Sequence, residues 1–588
     1  MTQVELVVTT PQPPPLGLVL SRDVPAGTLL RLAADGSTTL NSLDIAGVEY
    51  AGSPLPVIHR FSRDEQAADW DWHISTMEMI CIRTGRDLPA GAMLSVASAW
   101  PAGSGGGGPI QAGGAYAGLA WMLTLGAVEH PRAVAMQPVA DPLVVVLLPG
   151  PAATIEACLK PDGRCTHQHY DARGNPAAAD CEVSVRQSPQ PSSRLEAVDA
   201  KGRCAVANAA PRGLDGTPIW FGDLHWHCDF SGDGQRSLDA ALASARDELH
   251  LDFAAPSDHI GPDGRYSRGT VAQQAAICRS HDRPGQFQTL AGLEVSARYG
   301  HANVYTDDFA LLEQLAAGFA AGDFGRRLHE SWARGTSYPL AELSALIPPG
   351  RGIIVPHHTN MDSFIAERVK RPDGLPYWCA MHWPPPAHGS PLRLVEMVQS
   401  RGAFESEQPD ATWRTAFGGL GGSVQTALVR GHRLGFVGGT DNHCGWPTRC
   451  GDQRCGMTAI LGAELDGPSL YSALAARRCY ATSGARIVAD ATLNGRPAGS
   501  ELALAPGQER VFRIEAHGTA PLTHVQIVHN CVVLADLPVP RGAWDFAAQW
   551  ADQRPGRPLH DAWYYIRIRQ ADGHCAWLSP FWIDLSDR

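Results

Sequence analysis

Two histidines one residue apart, His225 and His227, close the run Phe221-Gly222-Asp223-Leu224-His225-Trp226-His227, whose beginning from Pro218 is apolar. Strand residues i and i+2 share a face, so both imidazoles project together from a strand end and make half of a metal site. Residues of metal-ligand type recur downstream: Asp233, Asp258 with His259, Glu294, His301, His357 with His358, and Asp441 with His443. Imidazole and carboxylate donors suit Zn²⁺, Mn²⁺ or Fe²⁺, and no thiolate is needed to hold them. Two such ions sharing a carboxylate bind one water between them and lower its pKa toward about 7. The expected chemistry is therefore hydrolysis, with a metal-bridging hydroxide as nucleophile. A leaving group also needs a proton, and the candidate acids are Asp258 and whichever of His357 and His358 does not bind metal.

These residues need elements that bring them together. Between about Pro218 and Gly484 short apolar strands alternate with amphipathic helices. Ser237 to Leu249 has an N-cap serine and alanine-rich helix formers; Gly269 to Ser280, Ala310 to Ala321, Leu340 to Leu346 and Ser423 to Gly431 also read as helices. Strands are expected at Pro218–Phe221, Leu251–Ala255, Gln288–Leu293, Ala302–Tyr305, Gly352–Val355, Leu392–Val398 and Leu434–Val437. About seven strands, mostly separated by helices, predict a closed parallel (β/α) barrel, and most of the metal-type residues fall at or just after strand C-termini. His301 is an exception, since it leads its strand. In such a barrel those ends open on one face, so distant residues meet there.

The ordered series Gly222-Asp223-Leu224-His225-x-His227, Ser257-Asp258-His259, Gly292-Leu293-Glu294, His301, Pro356-His357-His358 and Gly439-Thr440-Asp441-x-His443 resembles the polymerase and histidinol phosphatase (PHP) superfamily of metallohydrolases. Within it, the chain is similar to the branch with a Gly-Asp-Leu-His-x-His opening and flanking β domains, near the carbaryl-type carbamate hydrolases. The resemblance implies a distorted (β/α)7 barrel with two or three divalent metals (Zn, Mn or Fe) at its C-terminal mouth. It implies that His225 and His227 hold the first metal with Glu294 and Asp441. Glu294 would bridge to a second metal at His301 and His357, and a third would lie among Asp233, His259 and His443. Many family members carry histidine at the position of Asp233, and which of His357 and His358 coordinates stays open.

Substrate choice is less constrained. A phosphoester calls for cationic clamps, and Arg265, Arg268 and Arg298 lie in loops just past ligand-bearing strand ends. The long insert Asn360–Ser390 carries Tyr377, Trp378, His382 and Trp383, which with Trp226 and Trp446 either form an aromatic wall over the mouth or pin the loop to the barrel. Glu396 and Glu405 are further candidates to reach the mouth. The expected substrate is a small-molecule phosphoester; a carboxylic ester, carbamate or amide is the alternative. A scaffold protein with a structural metal is the non-catalytic alternative.

At 588 residues the chain exceeds one ordinary core. Pro- and Gly-punctuated apolar runs make 1–212 a β-rich N-terminal region, 213–485 the barrel, and 486–588 a small C-terminal β-sandwich. A formal charge of −12 with no long basic run argues against nucleic acid as partner. No apolar stretch of about 18 residues appears that would cross a bilayer, and no export signal opens the chain, so a cytoplasmic location is expected. The fourteen cysteines are then expected to be reduced thiols. Gly103 to Gly108 lacks the lysine and hydroxyl of a phosphate-binding loop.

Overall fold

The computed structural model describes residues 152–585 except 172–175, 192, 232–236, 262–263, 267–268, 298–299, 322–338, 361–380, 382, 401, 408–420, 443–446, 449–454, 506 and 553–561; before residue 152 it describes chiefly strands. Those early strands form a six-stranded and a four-stranded sheet. Residues 152–206 add two three-stranded antiparallel sheets, packed through Ile155, Ala157, Ala197 and Ala207.

The elements that carry the metal-type residues follow. Strand β1 (Ile219–Asp223) pairs in parallel with β2 (Phe253–Ala254), and β2 with β3 (Gln288–Thr289). Helix α1 (Leu238–Asp247) connects β1 to β2 and is capped by Ser237, whose hydroxyl accepts from the Ala240 amide. Helix α2 (Val271–His281) connects β2 to β3 and opens with a reciprocal Thr270–Gln273 capping box. Both helices start where an N-cap residue precedes the first buried apolar position.

Next come β4 (Ala291–Ala297), β5 (Gly300–Thr306) and β6 (Gly352–His357), which form an antiparallel meander. Helices at Phe309–Ala321 and Pro339–Leu346 separate β5 from β6. Strands β7 (Leu394–Gln399) and β8 (Gly435–Gly438) pair in parallel, with a register shift between Glu396 and Val398. Each of β6, β7 and β8 is buried along its whole length, which explains their continuously apolar texture.

The sequence predicted one closed parallel barrel, whereas these strands fall in three separate hydrogen-bonded sheets. Two local features account for the difference. The connection from Ala297 to Gly300 is far too short for a parallel crossover, so β4 and β5 form a hairpin. The second edge of β1 is taken by an antiparallel strand, β9 (Met457–Leu461), which leads through Cys479–Thr482 into the C-terminal strands of an eleven-stranded sheet. Between sheets there are isolated parallel bridges: Trp226 with Asn442, His259 with Glu294, and Ile354 with Leu392. The molecule is sheet-rich overall. Among the described residues no helix is long and apolar enough to cross a membrane.

Candidate metal centre

Glu294, in the middle of β4, is the hub on which five histidines converge. One carboxylate oxygen, Oε2, lies 3.3 Å from His225 Nε2 and 3.3 Å from His227 Nε2. The other, Oε1, lies 2.8 Å from His301 Nδ1, 3.3 Å from His259 Nδ1 and 3.4 Å from His357 Nε2. Asp441 Oδ1 completes the first side at 3.5 Å from His225 Nε2 and 3.3 Å from His227 Nε2. The structure thus gathers two groups able to hold a metal: His225, His227, Glu294 and Asp441, and His301, His357 and His358. All seven side chains are at most 6% exposed.

The strands explain the convergence. His225 and His227 follow β1, and His301 sits directly opposite His357 in the β5–β6 ladder, which brings their side chains together across the pair. Glu294 opposes Asn303 two pairs further along, on the same face. Asp441 and His358 both adopt left-handed backbone, at φ 51° and 34°. Such conformations are costly for residues with a β-carbon and persist where surrounding contacts hold them. For Asp441 the hold is visible: its amide and that of Thr440 both donate to the His225 carbonyl, at 2.6 and 3.0 Å. Gly439 must lack a side chain, because a Cβ there would stand 2.4 Å from the His225 Cβ and 2.7 Å from Glu396 Oε1.

Hydrogen bonds behind the ligand atoms fix the imidazole tautomers. His225 Nδ1 lies 2.8 Å from Glu396 Oε1, so it carries the proton and donates. His227 Nδ1 lies 3.1 Å from Ser231 Oγ, which itself donates to Asp258 Oδ1 at 2.9 Å and so accepts from the ring. Both Nε2 atoms therefore turn lone pairs toward Glu294 and Asp441, an arrangement that is repulsive unless a cation stands between them. The spacing suits one. Four ligands about 2.0–2.1 Å from a tetrahedral ion are separated by about 3.3–3.4 Å, against 3.3 to 3.5 Å for the four nitrogen–oxygen pairs here. Charge-assisted hydrogen bonds are shorter, about 2.7–2.9 Å.

The acids of the first side draw positive charge strongly. Burial pulls His225 toward the neutral form, but Glu396 and Asp441 outweigh it and raise it well above the usual imidazole range, a demand for positive charge that a proton on Nε2 or a divalent ion in its place can meet. Burial likewise raises Glu294, yet His259, His357 and the other rings hold it well below the usual carboxylate range. On the far side burial dominates, pushing His301 down to about 4 and lowering His357, so both rings stay neutral and able to donate lone pairs. The residues present fit divalent ions.

The remaining sequence candidates are placed as follows. His259 stacks on His227 with ring centroids 4.4 Å apart. The Asp258 carboxylate is buried and accepts from the Cys228 and Ser231 amides, the Ser231 hydroxyl and the Cys228 thiol. It shapes the 225–231 turn. Arg265 is exposed on its turn. Trp383 is 2% exposed, its indole donating to the Gly422 carbonyl and its ring 5.4 Å from His432. Asp233, Arg268, Arg298, Trp378, His443 and Trp446 lie outside the described residues.

Three supporting residues were not singled out for a role by sequence reasoning. Asp223 accepts from the His225 and Thr440 amides, the Thr440 hydroxyl and the Thr448 amide, and so ties the ends of β1 and β8. Ser231 orients His227, and Gln399 touches both Glu396 and Asp441. Asp223 was visible inside the His225 motif, whereas nothing in the sequence marks Gln399. A further group at His169, Asp180, Cys181 and Asp199 has metal-type residues. There the Arg203 guanidinium already sits between Asp180 and Asp199.

No family model matches the chain. Curated relatives include uncharacterized proteins of Chlamydia muridarum, 32% identical over 218 residues (34% of this chain, 32% of the relative), and Chlamydia trachomatis serovar D, 33% identical over 221 residues (34% and 32%). A third, from Chlamydia pneumoniae, is 35% identical over 183 residues, 28% of this chain and 29% of the relative. The match spans about a third of the length of each of these relatives. Among solved structures, a two-domain protein from Bacteroides vulgatus, described as containing a predicted PHP-like metal-dependent phosphoesterase, superposes with a TM-score of 0.31. It is 16% identical and covers 61% of this chain and 92% of that one.

Proposed function

We propose that the chain is a metal-dependent hydrolase of small-molecule phosphoesters, built at about residues 213–485 on a distorted PHP-type (β/α)7 barrel, its strands divided among three hydrogen-bonded sheets, between a β-rich N-terminal region and a C-terminal β-sandwich. One observation carries the reading: Glu294 turns one oxygen to the lone pairs of His225 and His227 and the other to His301, His259 and His357. A single buried carboxylate shared in this way suits two adjacent cations. His225, His227, Glu294 and Asp441 would hold the first and Glu294, His301 and His357 the second; His259 with Asp233 and His443 is assigned to a third. Divalent ions there would supply Lewis acidity, activating water near neutral pH and neutralising charge in the transition state.

The chain's own part is to orient and to manage protons. Glu396, Gln399 and Ser231 fix the donor atoms, and the buried setting strengthens every charge in the site. Asp258 accepts from two amides, a hydroxyl and a thiol of Cys228 and Ser231, which favours a positioning role. His358, whose ring lies 4.6 Å from His301 and 4.5 Å from His357, is the better proton donor to a leaving group.

A second reading is hydrolysis of a neutral ester or carbamate, whose uncharged carbonyl needs no cationic clamp beside the metals. Elemental analysis of the purified chain, followed by chromogenic phosphomonoester, phosphodiester and carboxylic ester panels, tests both readings. The expected result is at least one divalent ion per chain and turnover that disappears in Asp441→Ala with folding intact. Metal-loaded protein inert on every panel would sink the enzymatic reading.

A further inference from the structure

The two halves of the site are not equally supported. On the first side three of the four ligands have a second partner behind them: Glu396 for His225, Ser231 for His227 and Gln399 for Asp441. Gln399 does two things at once. Its amide nitrogen donates to Asp441 Oδ2 at 2.8 Å and to Glu396 Oε2 at 3.2 Å. Both acceptors are carboxylates, so the amide orientation is fixed by chemistry, since the opposite orientation would set three oxygens against one another. The sequence Asp441–Gln399–Glu396–His225 is therefore one hydrogen-bonded chain that begins and ends on ligand atoms facing the same point. On the second side, neither ring nitrogen of the buried His357 makes a hydrogen bond among the described residues, although Nε2 contacts Glu294 at 3.4 Å. Its ring orientation rests on packing against its neighbours.

We propose, building on the metal reading above, that Gln399 is a positioning residue that locks Asp441 and His225 into one unit, so that the His225–His227–Glu294–Asp441 group takes its ion first and more tightly than the group around His301 and His357. The cause is preorganisation. Ligands already held in the binding geometry lose little freedom when the ion arrives, whereas a ring without a hydrogen bond must be ordered by the ion itself. Gln399 also places a neutral double donor between the Asp441 and Glu396 carboxylates.

The test is a Zn²⁺ titration of the full chain, stripped with chelator and then competed against a chromophoric chelator, which yields stepwise constants. The native chain is expected to fill in two resolved steps. Gln399→Met, close in shape and without the donor, should weaken the tighter step by about 10–100-fold, as loss of partners behind metal ligands generally does, and leave the weaker step within about threefold. The thermal midpoint of the metal-free variant should fall, because two buried carboxylates lose their shared donor, while the weaker step stays in place; a merely structural role would weaken both steps. Should Gln399→Met fail to fold, Ser231→Ala, which releases the other histidine, is expected to weaken the same step. An unchanged tighter constant in the variant, or simultaneous filling of both groups in the native chain, overturns the proposal and leaves the metal reading intact. Native chain that takes up no Zn²⁺ overturns both.

Discussion

At the scale of single residues, the site depends on small groups in tight places as much as on ligands. Gly439 leaves room for His225 and Glu396 to meet, and a methyl there would overlap both. Gly439→Ala should therefore cost about 1–3 kcal/mol, the usual price of overpacking a core, and should lower bound metal because the His225 ring must move. Denaturant unfolding and elemental analysis of the same preparation check the two effects. Asp258 offers a sharper distinction between roles. With its oxygens committed to Cys228 and Ser231, Asp258→Asn is expected to lower stability by about 1–3 kcal/mol and to leave both limbs of the pH–rate profile in place. Disappearance of the limb that reports the general acid would instead make Asp258 the proton donor.

At the scale of elements, periodicity and capping made much of the site region legible in the sequence, and breaks in periodicity hid the rest. The helix expected after Ser237 begins at Leu238, and the strand expected over Gly352–Val355 runs on to His357. Gln399 was hidden because strand alternation puts it on the face opposite Glu396. The irregularity between Glu396 and Val398 inserts a residue and returns Gln399 to the same side. The hairpin at Ala297–Gly300 was missed for a related reason: Ala302–Tyr305 looks like any short apolar strand, and direction is not written in composition. Caps, by contrast, are local and predictable. Thr270→Ala, which removes the capping box of α2, should cost about 1 kcal/mol without changing metal content, as followed by chemical denaturation and elemental analysis.

At the scale of the whole molecule, the N-terminal strands, the site region and the C-terminal strands meet beneath α1. Lys160 donates to the His250 carbonyl and, at 2.6 Å, to Asp252. Arg486 reaches the same chain end, donating to the Leu249 and His250 carbonyls at 2.9 and 3.2 Å while lying 3.3 Å from Glu156. Two cations thus converge on His250, whose Nε2 lies 3.1 Å from the His167 carbonyl. Burial first, and then Arg486 and Lys160, push the His250 imidazole down to about 4. A depressed histidine favours the neutral form in the folded state. Its contribution to stability is complete above the unfolded value near 6.5 and is lost as pH falls toward about 4, reaching roughly 3 kcal/mol in total and about 2 kcal/mol by pH 5. Because His250 sits at φ 49°, asparagine is the replacement that tolerates the same backbone. His250→Asn should therefore fold and should narrow the difference in unfolding free energy between pH 7 and pH 5 by about that amount. An equal pH dependence in the native and variant chains would place the acid sensitivity elsewhere, and the junction would then be a packing contact with no titrating part.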